Sequence, residues 1–238
     1  MSPNNTNQQQ LAHDWAALEE MVQLARWSWT ETDVGHGQFE QTGELATAAL
    51  NLCVLFALSV LERGLSYMRN EGLFASNDSS LYGLMHSSRN AGLTWKNFNR
   101  IDGIRRSRNA LAHRQTRFTQ DECLVMLLVI SDELAALSIV SPNRELFMNK
   151  FGLSALNREG RRFAMELLVS AEIGREDRQK VFKCAEAAAT ESTDASVALI
   201  EESIKRAFLE SGFRADIEYV VRLKFEPQNS VGDTVDAG

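Results

Sequence analysis

Apolar residues in the first 140 positions mostly recur three or four residues apart, which is the spacing of a helix with one buried face. This pattern predicts five helices, over residues 11–29, 41–70, 81–88, 102–115 and 119–140. The second of them is apolar almost all round in its middle, which indicates a central position in a bundle. Because Pro142 ends the last helix, we expect a helical bundle over 11–140, preceded by a disordered tail over 1–10.

The second half of the chain has a less regular pattern. Helices are predicted over 154–171, 176–190 and 193–211, whereas residues 215–225 alternate apolar and polar side chains, as a half-buried strand does. A strand must pair its backbone with another strand. We expect this one to pair across an interface, and pairing inside the chain, with 145–151 as a weak candidate, stays open. The predicted fold is therefore mostly all-α, with a helical module over 141–226 that ends in the strand, and a disordered tail over 227–238.

One apolar run raises the question of a membrane. Residues 45–61 carry no charge, but the run is only 17 residues long and contains polar residues, Thr47, Asn51 and Ser59. A bilayer span usually needs about 20 apolar residues, so a buried core helix is the better interpretation. The first 20 residues lack the basic start and apolar core of a secretion signal. With 3 widely spaced cysteines, which indicate a reducing compartment, we predict a cytoplasmic protein that does not bind a membrane.

Charge is distributed unevenly along the chain. The whole chain has 25 basic and 32 acidic residues, a formal net charge of −7. Residues 96–117 nevertheless contain seven basic side chains and a single acid, Asp102. The basic residues are Lys96, Arg100, Arg105, Arg106, Arg108, Arg114 and Arg117. A concentrated basic segment in an acidic protein indicates a binding site for a polyanion, and the alternative is a solvated helix face whose arginines pair with acids elsewhere.

Arg108 occupies an unusual position in this segment. On a helical wheel it lies within about 60° of Ile104, Leu111 and Ala112, in the apolar stripe of the predicted helix. A guanidinium in that position is costly unless it is paired or opens into a polar cleft. We therefore expect that a buried acid holds it, or that it lines a site, or both; the candidate acids are Glu62, Asp132 and Glu133.

Other familiar sites have no signature in the sequence. It contains no glycine-rich phosphate loop, no paired-cysteine zinc pattern and no His-Glu-x-x-His segment. Cys53, Cys123 and Cys184 stand in apolar helical stretches, as small core residues often do. We therefore predict neither a metal nor a cofactor.

The basic segment contains a short motif, Arg108-Asn109-x-x-x-His113. It resembles the Arg-x(4–6)-His motif of HEPN domains, in which a polar residue, often Asn, follows the Arg. Arg106 with His113 also satisfies the spacing, so two arginines stay open, and Asn109 favours Arg108. The resemblance covers roughly residues 11–140 and implies a HEPN-like helical bundle there.

The resemblance implies a metal-independent endoribonuclease that works as a homodimer, with the two motifs meeting across the two-fold axis. His113, whose imidazole titrates near neutrality, fits a general base or acid. Arg108 fits stabilisation of the phosphorane, Asn109 orients its neighbours and Glu62 supports the arginine. Arg108 and His113 lie about 140° apart on one helix, which suits a site shared by two copies. The remaining basic residues that we expect to bind the RNA backbone are Arg105, Arg106, Arg114 and Arg117.

The family's habits further imply a toxin or antiviral defence effector that acts on cellular RNA, with an antitoxin or regulatory protein as a partner. An alternative is a non-catalytic HEPN-like module that binds RNA, a nucleotide or a protein and acts as a regulator or scaffold. In a third interpretation the motif is a coincidence in a scaffold protein. Substitution of His113 by Ala separates the first two, because only the enzyme loses cleavage while it retains binding.

Overall fold

A computed structural model describes residues 3–27, 30–35, 38–114, 117–156, 162–170, 179–180, 183–184, 187, 197–210 and 218–225. The chain divides into two compact units. The first consists of the described residues within Met1–Thr30, Gln41–Asn149 and Ser170–Glu172, and the second of those within Glu31–Glu40, Lys150–Val169 and Ile173–Gly238. The boundary near residue 150 lies beyond the predicted one at 140, because the short segment after the last bundle helix packs with the bundle.

The first unit contains the five predicted helices. They are α1 Pro3–Trp27, α2 Glu44–Asn70, α3 Leu81–Asn90, α4 Phe98–Arg114 and α5 Gln120–Ala136, followed by a 3-10 turn at Arg144–Phe147. The helix α1 begins at Pro3, where a disordered tail was predicted up to residue 10. Thr119 caps α5 together with Glu122, as a capping box. The helix ends four residues before Val140, since Ser138 takes a left-handed backbone conformation with φ 57°.

The helix α2 lies at the centre of the first unit. It packs against α1, α3 and α5, and the apolar core includes residues of all three. Its fully buried large side chains are Leu50, Leu58, Leu61 and Leu65. Among the described helices, α2 alone is long and apolar enough to cross a membrane, and 50 % of that apolar stretch is buried. The expected core position of this helix is confirmed.

The second unit is built on a sheet. The described residues form five strands in the spatial order β1-β2-β3-β4-β5. They are β1 Thr30–Gly35, β2 Gln38–Thr42, β3 Asn149–Leu156, β4 Arg162–Val169 and β5 Tyr219–Phe225. The strand β5 lies within the predicted 215–225 and pairs antiparallel with β4 of the same chain, with Leu167 opposite Val221. Pairing inside the chain, which the sequence left open, is therefore observed, and the expectation that this strand pairs across an interface is corrected.

The predicted helix over 154–171 was wrong, because β3 and β4 occupy most of that range. Ala, Met, Glu and Leu are good helix formers, but in β4 they alternate between two faces. Met165 and Leu167 are buried on one face and Leu168 on the other, while Ala164 is exposed. Glu166 binds Arg222 of β5 at 3.1 Å. Pairing and burial outweigh the local preference here. The sheet is thus larger than the single strand predicted for it.

The remaining helix, α6 Val197–Glu210, corresponds to the predicted 193–211. The predicted helix over 176–190 and the predicted tail over 227–238 lie mostly or wholly outside the described residues. The mostly helical class of the fold is confirmed.

Candidate functional site

The helix α4 carries the basic segment, and a buried carboxylate fixes the chain just before it begins. Glu133 of α5 is fully buried and accepts hydrogen bonds from the backbone N–H groups of Lys96, at 2.9 Å, and of Asn97. Burial raises the pKa of Glu133 above its ordinary value, although the two backbone hydrogen bonds partly oppose that shift. These contacts satisfy the carboxylate inside the core and hold the start of α4 against α5.

A buried amide fixes the chain just after α4. The side chain of Asn51, in the first third of α2, donates to the carbonyl of Phe118 at 2.9 Å and accepts from its N–H at 3.1 Å. Two residues further on, Gln120 donates to the carbonyl of Gly43 at 2.8 Å. The polar helix α4 is therefore held at both ends by hydrogen bonds to the apolar helices. These bonds fix its position, although α4 itself contributes little apolar surface to the core.

One side of α4 faces α3 through aromatic rings. His86 of α3 lies between Tyr82 and Phe98, with ring centroids 4.3 Å and 5.2 Å away. The Arg105 guanidinium lies 4.9 Å from the Tyr82 ring centroid, and that of Arg89 lies 4.4 Å from Phe98. Both distances are within the range of cation–π contacts.

Two of the arginines on α4 share one carboxylate. Asp102 is buried and accepts from Arg105 Nε at 2.9 Å and from both Nε and Nη2 of Arg106. Burial alone raises the pKa of Asp102, but the hydrogen bonds from Arg106 and Arg105 reverse this and hold the pKa below its ordinary value. Asp102 was predicted to begin the helix; it lies inside α4 instead, because the helix starts four residues earlier at Phe98.

Arg108 is held much less firmly. It follows the buried residues Ile101 and Ile104 along one side of α4, as the helical wheel predicts. Its Nη1 lies 3.9 Å from Oε2 of Glu62 on α2, and the two side chains are 36 % and 32 % exposed. Of the described residues, Glu62 is the only one that forms an ion pair with it. Since 3.9 Å is beyond hydrogen-bonding distance, this guanidinium keeps its donors available to a ligand.

The three acids proposed for Arg108 have separate roles. Glu62, one of the three, lies beside it, but it is partly exposed instead of buried and does not hydrogen-bond to the guanidinium. Asp132 instead pairs with Lys96 at 3.1 Å and with Arg144, and Glu133 binds the backbone before α4. Neither of these two holds Arg108.

The rest of the motif lies in the last turns of α4. Asn109, His113 and Arg114 belong to the same continuous helix as Arg108, and their side chains lie outside the described part of the structure. Arg117 follows the helix and is exposed. The described backbone thus carries Arg108 and His113 on one uninterrupted helix.

The anchoring roles of the residues that position α4 were not predicted. Asn51 and Glu133 each interrupt an apolar run, which is the signal that could have identified them as buried anchors. Tyr82 and His86 are separated from α4 by a turn, and nothing in the sequence indicates that they contact it.

The described residues include no cluster of three or more His, Cys, Asp or Glu side chains that could hold a metal. Burial raises the pKa of Cys53 to about 11 and that of Cys123 to about 12, so both thiols are protonated at neutral pH. Protonated buried thiols are poor nucleophiles, and these two act as core residues.

No family model, no curated protein and no solved structure matches this chain. Inferences about its function therefore depend on the residues of α4 and their surroundings.

Proposed function

We propose that this protein is a metal-independent, HEPN-type endoribonuclease of the cytoplasm that acts on cellular RNA as a toxin or antiviral defence effector. The observation that carries the proposal is the state of Arg108. It follows the buried Ile101 and Ile104 along α4, is 36 % exposed and has a weak ion pair at 3.9 Å, five positions before His113 on the same helix. An arginine that the fold positions but does not engage is suited to bind a phosphate.

The chemistry requires a base, an acid and a cation. A base removes the proton of the ribose 2′-hydroxyl, whose oxygen then bonds to the adjacent phosphorus, while the bond from phosphorus to the 5′-oxygen breaks and that oxygen takes up a proton. His113 fits one of the proton-transfer roles. Arg108 donates hydrogen bonds to the oxygens of the phosphorane, and Asn109 orients the reacting groups. The products are a 2′,3′-cyclic phosphate and a 5′-hydroxyl.

Two copies of the chain form the site in this proposal. Arg108 and His113 are about 140° apart on one helix, so the arginine of one copy acts with the histidine of the other. Arg106 is the second arginine at a suitable spacing, but Asp102 engages it through two donor atoms. That difference supports Arg108 as the motif arginine. Arg105, Arg106, Arg114 and Arg117 then bind the RNA backbone, and an antitoxin or regulatory protein that controls the nuclease binds the second unit.

The test is cleavage of a labelled RNA by the purified protein in excess chelator. Wild type is expected to release 2′,3′-cyclic phosphate ends, and Arg108→Ala and His113→Ala to lower the rate by about 100-fold or more. Arg69→Ala is the matched control, because Arg69 lies in the last turn of α2 and bonds the neighbouring Asn70. Methylation of the 2′-oxygens should abolish cleavage. A strict requirement for Mg²⁺, or 3′-hydroxyl products, would refute the proposal.

A non-catalytic RNA-binding module is the second candidate. It is favoured by the Asp102 cluster, in which Arg106 is anchored yet 70 % exposed and can bind phosphate without His113. Binding that is unchanged by His113→Ala, together with no cleavage by wild type, would support the module.

A further inference from the structure

We infer that the surface formed by α3 and α4 stacks an unpaired RNA base on Tyr82 while Arg89 and Arg106 bind neighbouring phosphates. The choice of RNA rests on the proposed function, whereas the stacking site rests on the contacts between these two helices. The site is separate from the motif and needs neither Arg108 nor His113.

Tyr82 is exposed although it belongs to an aromatic cluster. Two neighbouring rings, Trp95 just before α4 and Phe98 at its start, are partly buried against the apolar core. Tyr82 is 48 % exposed. Arg105 covers part of this ring, and the surface of Tyr82 that stays exposed is the part available to a stacked base.

The Tyr82 ring is held in place by its neighbours. His86 lies 4.3 Å away and Arg105 lies 4.9 Å away, and Asp102 fixes Arg105 in turn. An aromatic ring that is already ordered loses little side-chain entropy when a base stacks on it. Every base has a π-face, so stacking of this kind tolerates any sequence.

The two helices that hold the ring present exposed cations, and the nearest exposed acid outside them is Asp78, which lies against Gly83. The helices α3 and α4 contain one acidic residue, Asp102, and it is buried beneath its two arginines. Arg89 is exposed beside Phe98, and the side chain of Arg106 is 70 % exposed. Aromatic rings among arginines are the combination that single-stranded nucleic acid binds.

The stacking site also lies close to the candidate catalytic arginine. Arg105, which contacts Tyr82, precedes Arg108 by three residues, which is about one helical turn or 5 Å along the axis. That separation is within the reach of one nucleotide, so the stacked base belongs to a nucleotide next to the phosphate that Arg108 binds.

The experiment uses a 2′-O-methyl RNA of about 12 nucleotides, which cannot undergo the proposed cleavage and contains 2-aminopurine as a fluorescent base. Binding to wild type should quench 2-aminopurine. Tyr82→Phe should keep the Kd within about twofold, whereas Tyr82→Leu, which retains apolar volume without a ring, should raise it about tenfold and remove the quench. Melting temperatures establish that both variants are folded.

Salt dependence separates the stacking role from the charge role. Tyr82→Leu should leave the slope of log Kd against log salt unchanged, whereas Arg89→Gln should reduce it by about 0.7. Arg206→Gln, on α6, is the matched charge control and should leave both Kd and slope unaltered.

Wild-type affinity in Tyr82→Leu, or full binding to wild type without any quench, would overturn the inference. A failure of the proposed function gives a different result. In that case wild type does not cleave unmodified RNA, but binding still depends on Tyr82. That outcome would support the inference for a non-catalytic module.

Discussion

The arginines of α4 are held in two different ways. Arg105 and Arg106 are both bound to the buried Asp102, and Arg105 also covers the Tyr82 ring. Arg108 instead has an ion pair of 3.9 Å to the partly exposed Glu62 of α2. The same residue type, within four positions, is therefore used once as a fixed part of the structure and once as a positioned but weakly engaged cation.

This difference indicates where stability and where function reside. A carboxylate that accepts several charge-assisted hydrogen bonds inside a protein stabilises the fold, and its loss leaves buried charge uncompensated. A distant ion pair between exposed side chains contributes little. We expect substitutions at the Asp102 cluster and at Arg108 to affect different measurements.

The largest effect is expected from Arg108→Gln on cleavage. It should lower the rate by about 100- to 1,000-fold, because it removes the cation that stabilises the phosphorane. Its free energy of unfolding should change by less than about 0.5 kcal/mol. Arg106→Gln is the matched variant and should retain cleavage within about tenfold, as expected for a backbone contact. Equal losses in both variants would remove the distinction between Arg106, bound by Asp102, and Arg108.

Glu133→Ala should destabilise the first unit by about 2–3 kcal/mol, because two backbone N–H groups before α4 lose their buried acceptor. Urea unfolding at neutral pH measures this. Glu20→Ala, at an exposed position of α1, serves as control and should change stability by less than about 0.5 kcal/mol. A loss as small as that of the control would show that Glu133 does not anchor α4.

Asp102→Asn should cost about 1–2 kcal/mol at pH 7, since the amide loses the charge that holds Arg105 and Arg106. The pKa of Asp102 is lower in the folded protein than its ordinary value, so its ion pairs stabilise the fold above about pH 4. That stabilisation is lost as the pH falls through the folded pKa. Urea unfolding of wild type and variant should therefore converge in acid; a gap that widens below pH 4 would contradict this assignment.

Glu62→Gln is expected to have the smallest effect on stability, below about 0.5 kcal/mol, because its pair with Arg108 is long and partly solvated. Thermal unfolding measures it. A loss above about 2 kcal/mol would mean that Arg108 is a structural cation, and its contrast with Arg105 and Arg106 would disappear.

Much of the helical unit was predictable, because helical periodicity is local and strong in α2 and α5. The sheet was not. The strands β1 and β2 contain only Val34 and Phe39 as large apolar residues, too few to establish an alternation. In β4 the composition favours a helix, and its antiparallel pairing with β5, more than 50 residues further along the chain, supplies the structure. Contacts so distant in sequence have no local pattern.

The site was predictable in part. The wheel correctly put Arg108 in line with Ile104 and suggested Glu62 as a neighbour. It could not separate Glu62 from Asp132 and Glu133, because the choice depends on how α2 and α5 pack around α4. The pairing of Arg105 with Tyr82 likewise depends on the packing of α3 against α4.

Isolated mixed dimers show whether Arg108 of one copy acts with His113 of the other, as proposed. Arg108→Ala and His113→Ala chains with different tags are co-expressed, and dimers that carry both tags are purified and assayed in chelator. Such a dimer has one intact shared site of two, so about half of the wild-type rate is expected while each parent is inactive. Mixed dimers as inactive as their parents, beside an active wild type, would rule out a site shared by two copies.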